Sequence, residues 1–307
     1  MILFFFLLAL LPVIFVLFVM FRSDSLDRPH KKFLFVTLFC GMIAVPLVLL
    51  VNYLLKEYGG VDLNLYTVTQ SLAVEKYSGS LSSLLKDFFT GGFLLKLFVG
   101  VMIMALIEEC SKAFVVAQVD GRRRIFTRII DGVEFSIAAA LGFSLVENIV
   151  YFQIIQDAFV DIKSVLPALL VRAIISTMAH IMFSGIFGYY YGKARFLAHH
   201  NQLHVETAGT NWKMFHLGNA IKIRFLRSIH FLQGKNLHEK FARSFRQDEL
   251  IAEGLFVATV LHAIFNFTLT LGVGYLAVPL LVIEYSIIAH EFHVSRNFEQ
   301  HEVEKGI

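Results

Sequence analysis

Apolar residues gather along the chain in seven long runs, and polar residues collect between them. The runs are about Met1–Phe21, Phe33–Leu55, Phe93–Val119, Gly132–Ile155, Val165–Tyr191, Leu250–Leu271 and Val273–His290. A helix that crosses the bilayer core needs ~20 mostly apolar residues, so each run predicts a transmembrane helix. The first lacks a basic n-region and a small-residue cleavage site, and it is too long for a signal-peptide core. It reads as a retained span. The last is short and starts at Gly272-Val273-Gly274, which predicts a tight hairpin between helices six and seven. The fold class expected is all-α, a polytopic bundle of about seven spans.

Charge between the runs orients this bundle. Arg22–Lys32 holds four Lys/Arg, Asp120–Asp131 holds four and Gly192–Glu249 holds ten, whereas Lys56–Thr90 holds three and the loop after helix four only Lys163. Under the positive-inside rule the N-terminus lies outside and the C-terminus in the cytoplasm. The organisation that follows is two N-terminal helices over 1–55, an extracytoplasmic loop over 56–92 and core helices three to five over 93–191. A cytoplasmic insert over 192–249, helices six and seven over 250–290 and a tail over 291–307 complete it. Within the insert, Trp212, Phe215, Ile221, Phe225, Ile229 and Leu232 recur at roughly helical spacing among Lys213, Lys222, Arg224 and Arg227. A basic amphipathic segment suits the headgroup plane of an anionic leaflet, so anionic lipid is the partner expected there.

Composition agrees and narrows the class. The apolar set makes up 57% of the chain, charged residues 17%, and the mean hydropathy is +0.67. Soluble globular chains average ~45–50% apolar and ~25% charged. A cytosolic enzyme, a nucleic-acid module and a disordered chain are excluded, and the cell membrane is the expected location. Cys40 and Cys110 both lie inside apolar runs, so neither a disulfide framework nor a thiolate zinc site is available.

Against this background, the ionisable residues inside the spans stand out. Lys96, Glu134 and Glu253 lie near span ends and can reach the headgroups. Glu108, Glu109, Lys112, Glu147, Arg172, His180 and His262 lie deeper, with Asn148 and Asn266 beside them. Five formal charges among these would cost ~12–17 kcal/mol if unpaired in lipid. They must face one another or a watery cavity. Helix geometry allows it. Lys112 follows Glu108 by four residues and Glu109 by three, so one carboxylate can pair with the ammonium while the other points ~100° away. Arg172, Ser176, His180 and Ser184 repeat every four residues in helix five. Ser144, Glu147 and Tyr151 share a face of helix four, as His262 and Asn266 do in helix six. At ~1.5 Å per residue, Glu108, Glu147, His180 and His262 all fall within ~5–6 Å of their span midpoints.

Carboxylates and imidazoles at one depth suit general acid–base work on water. Two histidines and one of Glu108, Glu109 and Glu147 also match a catalytic zinc site with an open position. Lys112 reads as a counter-ion that keeps one glutamate ionised. Arg172 reads equally as a charge partner or as an orienter of substrate backbone, and Asn148 as a packing amide or an oxyanion donor. Glu284 has no companion at helical spacing in helix seven. The His-Glu-x-x-His of the zincins is absent, no aspartate lies deep in a span, and Met182 stands where a Gly-x-Ser-Gly serine site needs glycine.

Four motifs in order carry a resemblance: Glu108-Glu109-x-x-Lys112, Phe143-x-x-x-Glu147-Asn148, His180 in a span ending Gly188-Tyr189, and His262-x-x-x-Asn266. Over roughly Phe93–Phe267 the chain resembles the PrsW family of intramembrane proteases, related to the CAAX prenyl endopeptidases. The resemblance implies proteolysis of a single-span membrane protein, in bacteria typically an anti-sigma factor in envelope-stress signalling. It implies Glu108 and Glu109 as the catalytic carboxylates, completed by Glu147, His180 and His262, with Asn266 stabilising the oxyanion. In the metal-dependent form of the mechanism, Glu147, His180 and His262 are the expected ligands of a divalent ion such as zinc. The rival readings are a non-catalytic scaffold that grips a partner's transmembrane helix, an ion-coupled transporter, and a prenyl endopeptidase of the CAAX type.

Overall fold

In the computed structural model the described residues form a bundle of seven long helices. The structure describes residues 2–22, 28–60, 92–123, 126, 128–158, 162–199, 235–271 and 274–304. The helices are α1 (Ile2–Arg22), α2 (Arg28–Gly59), α3 (Phe93–Arg123), α4 (Ile129–Ala158), α5 (Ile162–His199), α6 (Lys235–Thr270) and α7 (Ala277–Glu304), with a 3₁₀ turn at Gly274–Leu276 before α7. Stretches of α1, α2, α4, α5 and α6 are long and apolar enough to cross a membrane, and α7 holds a shorter apolar stretch, Ala277–His290. α3 is as long, but its apolar run is interrupted by Lys96, Glu108, Glu109 and Lys112. The bundle is that of a multi-pass membrane protein.

α4 is the central element, packed against α1, α2, α3 and α5. Lipid is as apolar as leucine, so helices in a membrane associate through close packing of small residues more than through the hydrophobic effect. α4 supplies such residues: Ala138, Ala139 and Ala140 are fully buried. A Cβ on Gly142 would strike the Leu38 carbonyl of α2, and one on Gly41 the Ala139 carbonyl of α4. Gly132 meets Gly188 and Gly192 of α5 in the same way, backbone on backbone. These contacts lock the height and rotation of α4 against α2 and α5, and so fix where Glu147 points. At its start, Asp131 accepts the backbone N–H of Arg128 at 2.9 Å and binds that residue's guanidinium, closing the first turn.

Three features depart from the sequence reading. Helices α5 and α6 run well past their apolar stretches, to His199 and back to Lys235, so the expected insert 192–249 is helical at both ends. Its proposed amphipathic residues, Trp212 to Leu232, lie outside the described residues. Glu134, expected to reach the headgroups, is instead buried in the bundle, because α4 is enclosed on most of its circumference. α7 packs mainly on α5 and only slightly on α6, so the six–seven connection is not a closely paired hairpin. The bare face of Gly185 on α5 receives Ile288 of α7.

A polar clasp holds α3 to α5 at the far end from the site. Asp120, fully buried, accepts from Arg195 Nε (2.5 Å), Tyr191 Oη (3.1 Å) and the Phe126 backbone N–H (3.3 Å). Its carboxylate thus ties two helices and the α3–α4 connection together. Nothing in the linear pattern pointed to it, since its two side-chain partners lie more than seventy residues on.

Candidate active site

The deep polar residues converge. α3 contributes Glu108, Glu109 and Lys112, α4 Glu147, α5 His180 and Ser184, and α6 His262. All but Glu147 are buried, and Glu147 is partly so. The two α3 carboxylates face different surroundings, as their ~100° separation around the helix requires. Glu109 is turned into the protein and has three partners: Lys112 Nζ at 2.5 Å, His262 Nδ1 at 2.8 Å and Ser184 Oγ at 3.4 Å. Glu108 is turned to a cavity, and its Oε2 has no hydrogen-bond partner.

The protons can be placed from these contacts. Lys112 Nζ also lies 3.1 Å from His180 Nδ1. An ammonium has only donors, so Nδ1 accepts, and the ring proton sits on Nε2. That Nε2–H then donates to Glu147 Oε2 at 2.8 Å. In His262 the Nδ1–H donates to Glu109, which leaves Nε2 as a lone pair 3.6 Å from Glu108 Oε2. Two acceptors therefore face each other at the edge of the cavity, an arrangement that a shared cation or proton relieves. Aromatic rings hold the imidazoles in place. Phe183 stacks on His262 at 4.8 Å between centroids, Phe143 lies 5.5 Å from His180, and the two imidazoles meet edge to face at 5.2 Å. Both phenylalanines lie on faces already marked in the sequence, Phe143 one turn before Glu147 and Phe183 one turn after His180.

A cavity of about 130 Å³ opens from this cluster. Glu108, Glu147, His180 and His262 form its floor; Met104, Tyr151, Arg172, Ser176, Asn266 and Thr270 rise along its wall. These wall residues lie toward the end of the bundle where α3 and α5 begin and α4 and α6 finish. On the opposite side of the cluster Phe187, Tyr191, Val115 and Val116 pack into the largest apolar core. The cavity is one-ended. Asn266 borders it, one turn beyond His262. Asn148 does not: it is fully buried and donates from Nδ2 to Thr177 Oγ1 at 3.2 Å across the α4–α5 seam. Glu284 is buried in α7, away from the cluster, with neither oxygen hydrogen-bonded.

Glu108, His180 and His262 each offer one ligand atom to a common ion, with those atoms within 4.8 Å of one another. For His180, whose two ring nitrogens are engaged by Lys112 and Glu147, ligation means giving up one of those bonds. The structure thus groups Glu108 with the two histidines, while Glu147 is bound to His180. The donor set fits a divalent metal: two imidazoles and a carboxylate leave a position for water. A carboxylate behind a ligating imidazole, as Glu109 stands behind His262, is the usual support for such a site. The orphaned Glu108 Oε2 opposite the His262 lone pair is the observation that makes the fit specific.

Fold and site together define a membrane-embedded protein with a buried acid–histidine centre open to one side. The family model for the PrsW family of intramembrane metalloproteases matches residues 28–215, and the chain belongs to that family. The match starts earlier than the motifs suggested, taking in α2, and ends before α6, so the structure alone brings His262 and Asn266 to the residues of the matched region. The chain is 33% identical over 107 residues to the protein named Protease PrsW of Clostridioides difficile (34% of this chain, 42% of that protein). It is 34% identical over 92 residues to the Protease PrsW of Geobacillus kaustophilus (30% and 37%). It therefore spans about two fifths of the length of these curated relatives. No solved structure matches.

Proposed function

We propose that this protein is an intramembrane protease that hydrolyses a peptide bond of a single-span membrane protein, with an anti-sigma-type regulator as the substrate class. The observation that carries this reading is the one-ended cavity floored by Glu108, Glu147, His180 and His262. A transporter needs a polar path on both sides of its site, and here Phe187, Tyr191, Val115 and Val116 fill one side. A hydrolase needs one entrance for water and substrate. Under the orientation read from loop charges, that entrance faces the extracytoplasmic side.

Glu108, His180 and His262 would hold a divalent metal, which when bound supplies a Lewis acid toward the scissile carbonyl and acidifies a water. The chain's own residues do the rest. Glu109 fixes the His262 ring by accepting its Nδ1–H, and Lys112 keeps Glu109 ionised; both are positioning residues. Glu147, at the cavity floor, takes a proton from water as its oxygen attacks the peptide carbonyl, and returns it to the leaving amine as the C–N bond breaks. His180 orients that carboxylate through its Nε2–H, a bond compatible with holding the metal when Nδ1 turns from Lys112 to the ion. Asn266 donates to the carbonyl oxygen as negative charge develops on it.

The test is purified full-length protein in proteoliposomes, incubated with a library of single-span peptides whose products are read by mass spectrometry. Glu108→Gln and Glu147→Gln are expected to reduce cleavage at least a hundredfold while thermal unfolding in detergent stays cooperative. Undiminished cleavage in both folded variants would refute the proposal.

A further inference from the structure

The cavity wall carries a charge that the hydrolytic scheme leaves unused. Arg172 of α5 lies with its guanidinium carbon 3.5 Å from the centre of the Tyr151 ring of α4. Among the described residues no carboxylate lies within ion-pair reach of it, and its Nε, closed off from solvent, has no acceptor. Glu147 and Glu108, the acids of the same cavity, lie near enough to attract its charge, but their close contacts are with His180 and His262. An arginine cannot shed its proton, and attraction at a distance to those carboxylates still leaves its buried Nε–H without an acceptor. The tyrosine ring covers one face of the guanidinium plane, which leaves the forked N–H edge for a partner in the cavity. A planar carboxylate is the group that edge matches, two oxygens to two N–H donors.

We infer that Arg172, backed by Tyr151, binds a carboxylate of the substrate and so selects where the chain is cut; this rests on the hydrolytic reading above. The distance sets the register. Tyr151 is one helical turn beyond Glu147, and Arg172 is two turns from His180, so the guanidinium stands ~6–12 Å along the bundle from the cluster. At ~3.3 Å per residue, an extended substrate places its carboxylate about two to four residues from the scissile bond. That group is either an Asp or Glu side chain or the chain's own C-terminus.

The experiment measures binding apart from cleavage. The full-length protein in detergent is titrated with N-acetylated, C-terminally amidated apolar octapeptides carrying one Asp at successive positions, each matched with its Asn twin, and with one all-apolar peptide as free acid and as amide. The wild type is expected to prefer at least one Asp peptide, or the free acid, by about tenfold or more; which of the two responds tells side chain from terminus. Arg172→Gln is expected to erase the preference, and Arg172→Glu to transfer it to Lys peptides. Equal affinity for all members in the wild type, no binding of any, or a preference that survives Arg172→Gln would overturn the inference. Mass spectrometry of the same mixtures separates the two readings. Arg172-dependent binding without a cut bond leaves this site standing and removes the protease, whereas cleavage indifferent to carboxylates does the reverse.

Discussion

Replacing Lys112 with methionine tests the buried ion network most directly. Lys112 is only 2% exposed, and its ammonium serves two residues at once, Glu109 at 2.5 Å and His180 Nδ1 at 3.1 Å, with the Phe143 ring 4.8 Å away. The bond to an ionised glutamate contributes about 1.5–3 kcal/mol and that to a neutral imidazole about 1 kcal/mol. Methionine fills nearly the same volume, so little cavity opens. What remains is a carboxylate stranded in the interior with one imidazole and one long hydroxyl contact, and breaking a buried pair from one side costs about 3–5 kcal/mol. Glu109→Gln together with Lys112→Met removes the stranded charge, while the amide oxygen still accepts from His262. The pair is expected to recover about 2 kcal/mol of the loss. Unfolding by SDS, followed by far-UV circular dichroism, gives both values. A single variant within 1 kcal/mol of the wild type, or a double variant no better than the single, would refute the assignment of Lys112 as the counter-ion of Glu109.

Three further outcomes are expected. Purified wild type should retain about one equivalent of zinc or a similar divalent ion by elemental analysis, with His262→Ala and Glu108→Gln losing it and Glu147→Gln keeping it; retention by all three would remove the metal assignment. Asn266→Ala should lower kcat by about 10²–10³-fold with little change in KM, whereas Asn148→Ala should cost about 1 kcal/mol of stability and leave kcat near the wild type; steady-state kinetics beside thermal unfolding separates the two amides. Gly142→Ala should destabilise by about 3 kcal/mol or more because its methyl meets the α2 backbone. Gly121→Ala, which meets open space near the end of α3, should be neutral or stabilising by up to about 1 kcal/mol.

Much of the site was readable from the chain because lipid makes polarity conspicuous. Glu147, His180 and His262 could be singled out by depth alone, and helical spacing showed which neighbours share their faces. The division of labour between Glu108 and Glu109 was not readable. Both lie one turn from Lys112, and which of them meets the cavity depends on how α3 is rotated by its contacts with α2 and α6. The same limit applies to Asn148, whose partner Thr177 comes from another helix, and to the stacking of Arg172 on Tyr151. Hydropathy also misjudged where helices stop. It reports where apolar surface ends, whereas a helix continues as long as its backbone bonds are made, so α5 and α6 extend beyond the bilayer-length core of each run.

The shape of the cavity constrains what form a protein must take to be cut here. In a helix each peptide carbonyl is bonded to the N–H four residues on and wrapped by side chains to a diameter of ~10–12 Å, so its carbon stays out of reach of groups at the bottom of the well. Since the well is closed below, nothing can pass through it as a rod. On the hydrolytic reading, a target arrives unravelled, one strand let down from the rim, and membrane segments whose glycines or prolines weaken their own coiling near that rim are the ones that yield.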